Sequence, residues 1–443
     1  MPQILLFGAG KSATSLIRYL IAVAAARNWQ LVVAENNLSL AESKIGAASC
    51  AKAVRLSIEE EPERDRLVQE ADMVISLLPP TLHYLVALSC LKKKKHLLTA
   101  SYVDDGIRAL APAIRDSGLL FLCEMGLDPG IDHMSALHFI DRIKRDGGQI
   151  LSFLSHTGGL VAPESDDNPW HYKISWNPRN VVLVGAAGAR YKEDGHIVTR
   201  EYAALFGQTG EIDLPETGPL AWYPNRDSLP YMALYGLEDA GTFIRTTLRY
   251  PAFCRAWSSL VRAGLTDDRQ PLRQLELTRG LPSPRGSESP RGLEGRTIAD
   301  WSAPILPYVD KDNRELLEFL GLFEPLPIPP QAQTAADILQ FLLETRLAMQ
   351  PQDKDMIVMQ HEIGFKREGK HWLEKSTLIV KGEDHWHTAM ARTVGLPLGI
   401  AAKLLLEGKI PLRGLHIPIL PELYIPVLQE LEQQGIRFEE TIT

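Results

Sequence analysis

The sequence predicts an α/β fold: a doubly wound parallel sheet at the N-terminus, joined to a second region of α+β character. Three observations predict it. Short apolar runs alternate with helix-length segments over roughly the first 125 residues, a glycine turn follows the first run, and beyond Gly130 longer strand runs and polar loops take over. Residues 3–7 (QILLF) are short, apolar and closed by Gly8, the mark of a strand buried on both faces. Residues 12–26 then read as a helix and 30–34 (QLVVA) as a second buried strand. The alternation continues with strands at 72–77, 96–100 and 119–123 and helices at 81–91 and 105–117, which calls for right-handed crossovers in one parallel sheet.

Beyond Gly130, residues 147–159 and 181–187 read as strands between long polar loops. Residues 356–365 and 376–381 flank Arg367-Glu-Gly-Lys-His, a hairpin signal, so an antiparallel sheet is expected here. Residues 245–262, 314–320 and 335–348 read as helices, as do 388–407 and 421–434, the last stretch being expected to pack back on the first sheet. Residues 283–292, with the near-doublet SPRGSE/SPRGLE, are rich in Pro, Gly and Ser and read as a surface loop, without an architectural repeat.

Composition narrows the function. At 443 residues the chain holds two to three domains of about 150 residues. Lys+Arg number 47 against 55 Asp+Glu, a net charge of −8, which disfavours a polyanion such as nucleic acid as partner. Cys50, Cys90, Cys123 and Cys254 lie far apart with no CxxC pair, so a reducing, cytosolic compartment is expected. The early apolar stretch 20–26 is too short to span a bilayer and follows no basic segment, so neither a signal peptide nor a membrane contact is expected.

Gly8-Ala9-Gly10-Lys11-Ser12-Ala13 is a G-x-G-x-x-A turn between a predicted strand and a predicted helix. The first glycine permits the tight turn. The second admits a pyrophosphate to the backbone, where a helix N-terminus offers free N–H groups, and Ala13 lets helix and strand pack closely. Glu35, at the end of the second strand, is placed to accept hydrogen bonds from an adenosine ribose and to repel a 2′-phosphate. Ser76 and Leu77 end the strand whose following loop would pass under the cofactor. These residues predict a Rossmann-type dinucleotide site that favours NAD, with NADP as the alternative.

The sequence resembles saccharopine dehydrogenases of the glutamate-forming type. The resemblance is carried by Ser101-Tyr102-Val103, by Glu124-Met-Gly-Leu-Asp128-Pro129-Gly130-Ile-Asp132-His133, and by Tyr223-Pro-Asn-Arg226-Asp227-Ser228. Further blocks are GGLVAPESDDNP from Gly158, TLRY from Thr247, KDMIVMQH from Lys354 and TVGLP from Thr393, so that nearly the whole chain is covered. The resemblance implies a Rossmann domain (1–130), an α+β substrate domain with a mixed sheet (131–390) carrying a helical insertion at about 251–348, a C-terminal helical segment (391–443), and a homodimer. It implies NAD(P)-dependent oxidation of the secondary amine of saccharopine to an imine, hydrolysed to glutamate and 2-aminoadipate 6-semialdehyde. By motif, the family's substrate contacts fall on Ser101, Tyr102, Asp128, Arg226, Thr247 and Arg249. Two departures stand out. Relatives that use NADP carry a basic or small polar group where this chain has Glu35-Asn36-Asn37, and a cysteine common in relatives is replaced by Thr157.

The chemistry of these residues suits the reaction. A substrate with three carboxylates needs fixed cations, and Arg226 and Arg249 provide the planar guanidinium that grips a carboxylate at two points. A structural ion pair, for Arg226 with Asp227 or Glu238, is the competing reading. Asp128-Pro129-Gly130 by itself is a turn, but it follows the last strand of the first sheet, at the edge where ligands bind. Asp128 and Tyr102 are the candidates for proton transfer. His385-Trp386-His387 lacks a completing acid or cysteine, so no metal is expected, and Lys92–Lys95 read as a solvated helix end. Two other readings remain: an imine reductase on a polyamine precursor, of the carboxynorspermidine or homospermidine synthase type, and a non-catalytic NAD-binding regulator.

Overall fold

Seven parallel strands form the first sheet of the computed structural model, which describes residues 1–443 except 215, 273–295, 304–308 and 310. They are β1 (Gln3–Phe7), β2 (Gln30–Glu35), β3 (Ala51–Arg55), β4 (Met73–Ser76), β5 (His96–Thr99), β6 (Leu120–Leu122) and the short Gly414–His416. Their spatial order, β3-β2-β1-β4-β5-β6 and then Gly414–His416, reverses direction between β1 and β4. That reversal opens a crevice at the carboxyl ends of the strands, where this architecture binds its ligand. Because helices cover both faces, Ile4, Leu5, Leu6, Leu31, Val32 and Val33 are all essentially inaccessible.

The connecting helices are α1 (Thr14–Arg27), α2 (Leu38–Ile45), α3 (Glu61–Glu70), α4 (His83–Lys93), α5 (Asp105–Ala109), α6 (Ala111–Asp116) and α7 (Ile131–Arg145). The single helix expected over 105–117 is two, with the break at Leu110 and a proline on the first turn of α6. Lys92, at the end of α4, pairs with Glu61 and Asp65 on α3.

The second sheet has ten strands: β7 (Gln149–Val161), β8 (Ala189–Glu193), β9 (His196–Arg200), β10 (Gly210–Leu214), β11 (Gly218–Pro224), β12 (Arg226–Asp227), β13 (Thr242–Arg249), β14 (Asp355–Arg367), β15 (Lys370–Lys381) and Glu439–Ile442. It is mixed rather than purely antiparallel, since β13 runs parallel to β7 and β12 parallel to β8. The hairpin between β14 and β15 turns at Glu368-Gly369, as its sequence signalled.

Two assignments are overturned. Residues 181–187 are not a strand: Pro178–Val182 is a short helix, started by Asn177, whose side chain accepts from the Asn180 N–H. The helix expected over 245–262 begins only at Pro251, because Thr242–Arg249 is a strand of β-branched and aromatic residues. The helices Pro251–Arg262, Ile298–Ser302, Lys311–Phe319 and Ala335–Arg346 share a core with Trp170, Phe253, Trp257 and Trp301. The loop expected over 283–292 lies outside the described residues.

The chain then returns to the first sheet. Helix Ala389–Leu406 packs on α1, with Gly395 against Leu16 and Gly399 against Tyr19. It is long and apolar enough to cross a membrane, but 72% of that stretch is buried inside the protein.

Candidate active site

The glycine turn lies at the crevice. Gly8 adopts φ +97°, and a Cβ there would come within 2.8 Å of the Leu77 carbonyl oxygen, so only glycine lets the β1 and β4 loops meet. A Cβ on Gly10 would meet nothing within 4 Å, which leaves open space above the turn. Among the described residues none accepts from the N–H groups of Gly10, Lys11 or Ser12. Lys11, Ser12 and Ala13 form a single helical turn that leads into α1. Glu35 ends β2 and accepts from the Ala9 N–H at 2.8 Å and the Asn37 N–H at 3.1 Å. Free backbone donors, an open approach and a terminal acid fit the diphosphate and adenosine ribose of a dinucleotide.

Ser76 and Ser101 are joined by a residue the sequence did not single out. His83, at the start of α4, lies 2.8 Å from Ser76 Oγ through Nδ1 and 2.7 Å from Ser101 Oγ through Nε2. Burial pushes its pKa down to about 4, against the opposing pull of Asp104, so the ring is neutral at neutral pH.

Beside Ser101 the two sheets meet. The Tyr102 hydroxyl donates to Asp128 Oδ1 at 2.8 Å. Arg245 Nη2 donates to the same oxygen at 2.6 Å, to Asp132 Oδ2 at 2.7 Å and to the Tyr102 oxygen at 3.1 Å. Asn225 reaches Asp128 Oδ2 at 3.3 Å. Behind Asp132, His133 bridges Glu124 at 2.9 Å and Tyr235 at 2.5 Å, and Tyr231 stacks on its ring. Arg245, Asn225, Glu124, His133 and Tyr231 thus complete the cluster. Arg245 was hidden inside a stretch that reads as helical, and His133 entered only as the last residue of a matching block. The Glu124-to-His133 block was the one available signal for the acid–histidine pair.

Burial separates the two aspartates. Burial raises the Asp128 pKa, outweighing Arg245, with Asp132 adding to the rise. For Asp132 burial is overcome by His133, Arg245 and the Gly130 N–H, and its pKa is lowered. The Asp128 side chain keeps 13% of its surface exposed, against 2% for Asp132, so Asp128 is the member of the pair that an incoming substrate can reach. Burial lifts the Tyr102 pKa well above its ordinary value, which makes this phenol a proton donor rather than a base.

Arg245, Thr247 and Arg249 alternate along β13 and so share one face of the sheet, and Thr157 pairs with Thr247 across β7. Arg249 is 3% exposed, its guanidinium between the Tyr172 and Phe253 rings, and it donates to the Leu248 carbonyl at 2.7 Å. Its Nε is buried without a partner, and among the described residues no carboxylate pairs with it. Arg226 is exposed and lies over the Tyr102 ring at 5.1 Å. Its neighbour Asp227 pairs with Arg190 instead, so the ion pair weighed for Arg226 does not form. A larger cavity of about 480 Å3 lies behind α1, near Tyr19, Lys403 and Glu430, and holds none of these residues.

Comparison with known proteins places this geometry. Residues 4–122 match the family description "Saccharopine dehydrogenase NADP binding domain", and residues 126–436 match "Saccharopine dehydrogenase C-terminal domain". The chain belongs to the saccharopine dehydrogenase family. Within that family, the Saccharomyces cerevisiae saccharopine dehydrogenase [NADP(+), L-glutamate-forming] is 35% identical over 452 residues, covering 99% of this chain and 98% of its own. The solved structure of the apo, histidine-tagged L-Glu-forming saccharopine dehydrogenase from the same yeast superposes with a TM-score of 0.83 at 33% identity, covering both chains fully. The mitochondrial alpha-aminoadipic semialdehyde synthase of Bos taurus is 37% identical over 391 residues, 86% of this chain, which spans only 41% of that longer protein. The family and the dinucleotide-binding domain expected from the sequence are therefore correct.

Proposed function

We propose that the protein oxidises the secondary amine of saccharopine with a nicotinamide dinucleotide and hydrolyses the resulting imine to glutamate and 2-aminoadipate 6-semialdehyde. The observation that carries this reading is Arg249, a buried guanidinium on the same strand face as Arg245 with no acid of its own among the described residues. A buried cation without a counter-charge is unfavourable unless a ligand anion completes it, and a substrate carboxylate does so. Arg226, free of ion pairing beside Tyr102, takes a second carboxylate.

The residues divide the work as follows. Oxidation requires the substrate nitrogen as a free base, and Asp128 accepts its proton, its raised pKa making it a stronger base than an ordinary carboxylate. A dinucleotide held by the glycine turn and Glu35 would supply the hydride acceptor. Asp128 then passes that proton to solvent, takes another from the water that attacks the imine carbon and hands it to the nitrogen, and the carbon–nitrogen bond breaks as Asp128 takes the new hydroxyl proton and the carbonyl forms. Tyr102, held protonated, and Arg245 keep Asp128 in place and temper its charge.

Glu35 assigns the cofactor as NAD rather than NADP, against the NADP in the relatives' names, because a 2′-phosphate would meet its carboxylate. The four free cysteines, three of them buried, support a reducing, cytosolic setting, and the homodimer follows from the resemblance. The deciding experiment follows reduced-cofactor absorbance with L-saccharopine and either NAD or NADP. Turnover with an NAD preference is the expected result. Dinucleotide binding without saccharopine turnover would overturn the substrate and favour a polyamine precursor or a regulator.

A further inference from the structure

His385-Trp386-His387, which stood out in the sequence, reaches the dinucleotide crevice from the other side. Asp384 ties this loop down by accepting from the Trp386 N–H at 2.8 Å and the His387 N–H at 2.6 Å, and His385 Nδ1 lies 2.9 Å from the Pro351 carbonyl. The Trp386 ring thereby covers the ammonium of Lys44, 5.0 Å from its centroid. Lys44, near the end of α2, donates to the Gly10 carbonyl at 2.5 Å. Together they bound a pocket of about 170 Å3 whose walls include Gly10, Lys11, Thr14 and Ile174. Lys11 also crosses to the second domain, donating to the Ile174 carbonyl at 3.2 Å.

We propose that Lys44 is a ligand for the diphosphate of the dinucleotide, with Trp386 as the wall that holds its ammonium over the glycine turn. This rests on the dinucleotide reading of the crevice. The pocket sits directly on Gly10 and Lys11, whose N–H groups have no acceptor among the described residues, so backbone donors and an ammonium converge on one space. No ion pair within 4.0 Å engages Lys44 among the described residues, since Glu35, the acid that acts on it, is itself held by the Ala9 and Asn37 N–H groups. Burial pushes the Lys44 pKa down to about 8 against the pull of Glu35, and a bound phosphate would restore the charge that burial disfavours. Because Trp386 belongs to the substrate domain's side of the crevice, the contact also links cofactor binding to the placement of the two domains.

The test is equilibrium binding of NADH, ADP, adenosine and adenosine 2′-monophosphate to the full chain and to Lys44→Gln. Glutamine removes the charge and keeps an N–H donor on a side chain one atom shorter, and Lys44→Arg keeps the charge as the control. The expected result is a ~10-fold or greater loss of ADP and NADH affinity, with adenosine and adenosine 2′-monophosphate unchanged and Lys44→Arg close to the parent. Equal losses for ADP and adenosine would overturn the proposal, since Lys44 would then merely shape the turn. A loss confined to adenosine 2′-monophosphate would overturn the diphosphate assignment, as would unchanged ADP binding. Failure of the unaltered chain to bind NADH would instead overturn the dinucleotide reading itself. Should Lys44→Gln not fold, Lys44→Met in the same assay decides between the same outcomes.

Discussion

Arg245 Nη2 donates to Asp128 Oδ1 at 2.6 Å, and that contact joins the end of the first sheet to the middle of the second. The same nitrogen holds Asp132 at 2.7 Å, so one guanidinium answers two buried carboxylates. Removing it leaves both acids without their cation. Arg245→Met should lower stability by roughly 3–5 kcal/mol, read from denaturant unfolding at neutral pH. A change of under about 1 kcal/mol would mean that His133 and Asn225 alone hold the acids.

Asp128 differs from Asp132 in reach and in the direction of its pKa, and the proposed proton transfer rests on that difference. Asp128→Asn should lower kcat by about 10²–10⁴-fold, with a much smaller change in NADH affinity. The base works ionised, so the parent rate falls as pH drops through the raised Asp128 pKa. The variant should show one ionisation fewer on its acid limb. An unaltered limb would assign the base elsewhere.

Glu35 offers a cofactor test that leaves the chemistry intact. Glu35→Ser removes the charge that opposes a 2′-phosphate, so the ratio of NAD to NADP efficiency should fall by about tenfold or more. Part of the effect would come through the turn, because Glu35 accepts from the Ala9 and Asn37 N–H groups. Melting curves separate the two: a drop in stability without a change in the NAD/NADP ratio would argue that Glu35 only braces the turn.

His83 gives the site a pH dependence with a definite sign. Its folded pKa is depressed to about 4, below the unfolded value near 6.5. The unfolded chain therefore binds the extra proton first as pH falls, so stability is full above about 6.5 and declines toward pH 4. The loss is on the order of 3 kcal/mol. His156 and His361, also pushed down by burial, add slopes of the same sign, so the informative quantity is the difference between the parent and His83→Gln. That difference should shrink steadily between pH 6.5 and 4.5, and a constant difference would show that His83 does not titrate on unfolding.

Much of the first sheet was legible because both-face burial writes continuous apolar runs, as in β1 and β2. The edge strand β3 (AKAVR) escaped notice because exposed Lys52 and Arg55 break such a run. Arg245 was missed for a related reason. In Thr242–Arg249 Ile244 and Leu248 face one way while Phe243, Arg245, Thr247 and Arg249 face the other, so the strand shows no clean apolar alternation, and run together with the helix after Pro251 the segment imitates a single helix. Asp128 and Tyr102 could be named from their place at strand ends, whereas their common partner depends on a contact 117 residues away in sequence.

Arg249 poses the opposite problem to Arg245, and the two arginines of one strand face should respond oppositely to the same substitution. Arg245 is answered by two acids, whereas among the described residues Arg249 meets ring faces and one carbonyl and no acid. A buried cation without a counter-charge opposes folding, so Arg249→Met, which fills similar volume, should leave stability unchanged or raise it. Saccharopine binding should suffer, with KM up by tenfold or more and NADH affinity preserved, since the lost charge lies on the substrate side. Gain or retention of stability together with loss of substrate affinity is what a binding group held at the expense of the fold predicts. If instead Arg249→Met unfolds the protein and the residual enzyme keeps its KM, the guanidinium is a packing element for Tyr172 and Phe253, and the carboxylate site must be sought at Arg226 alone.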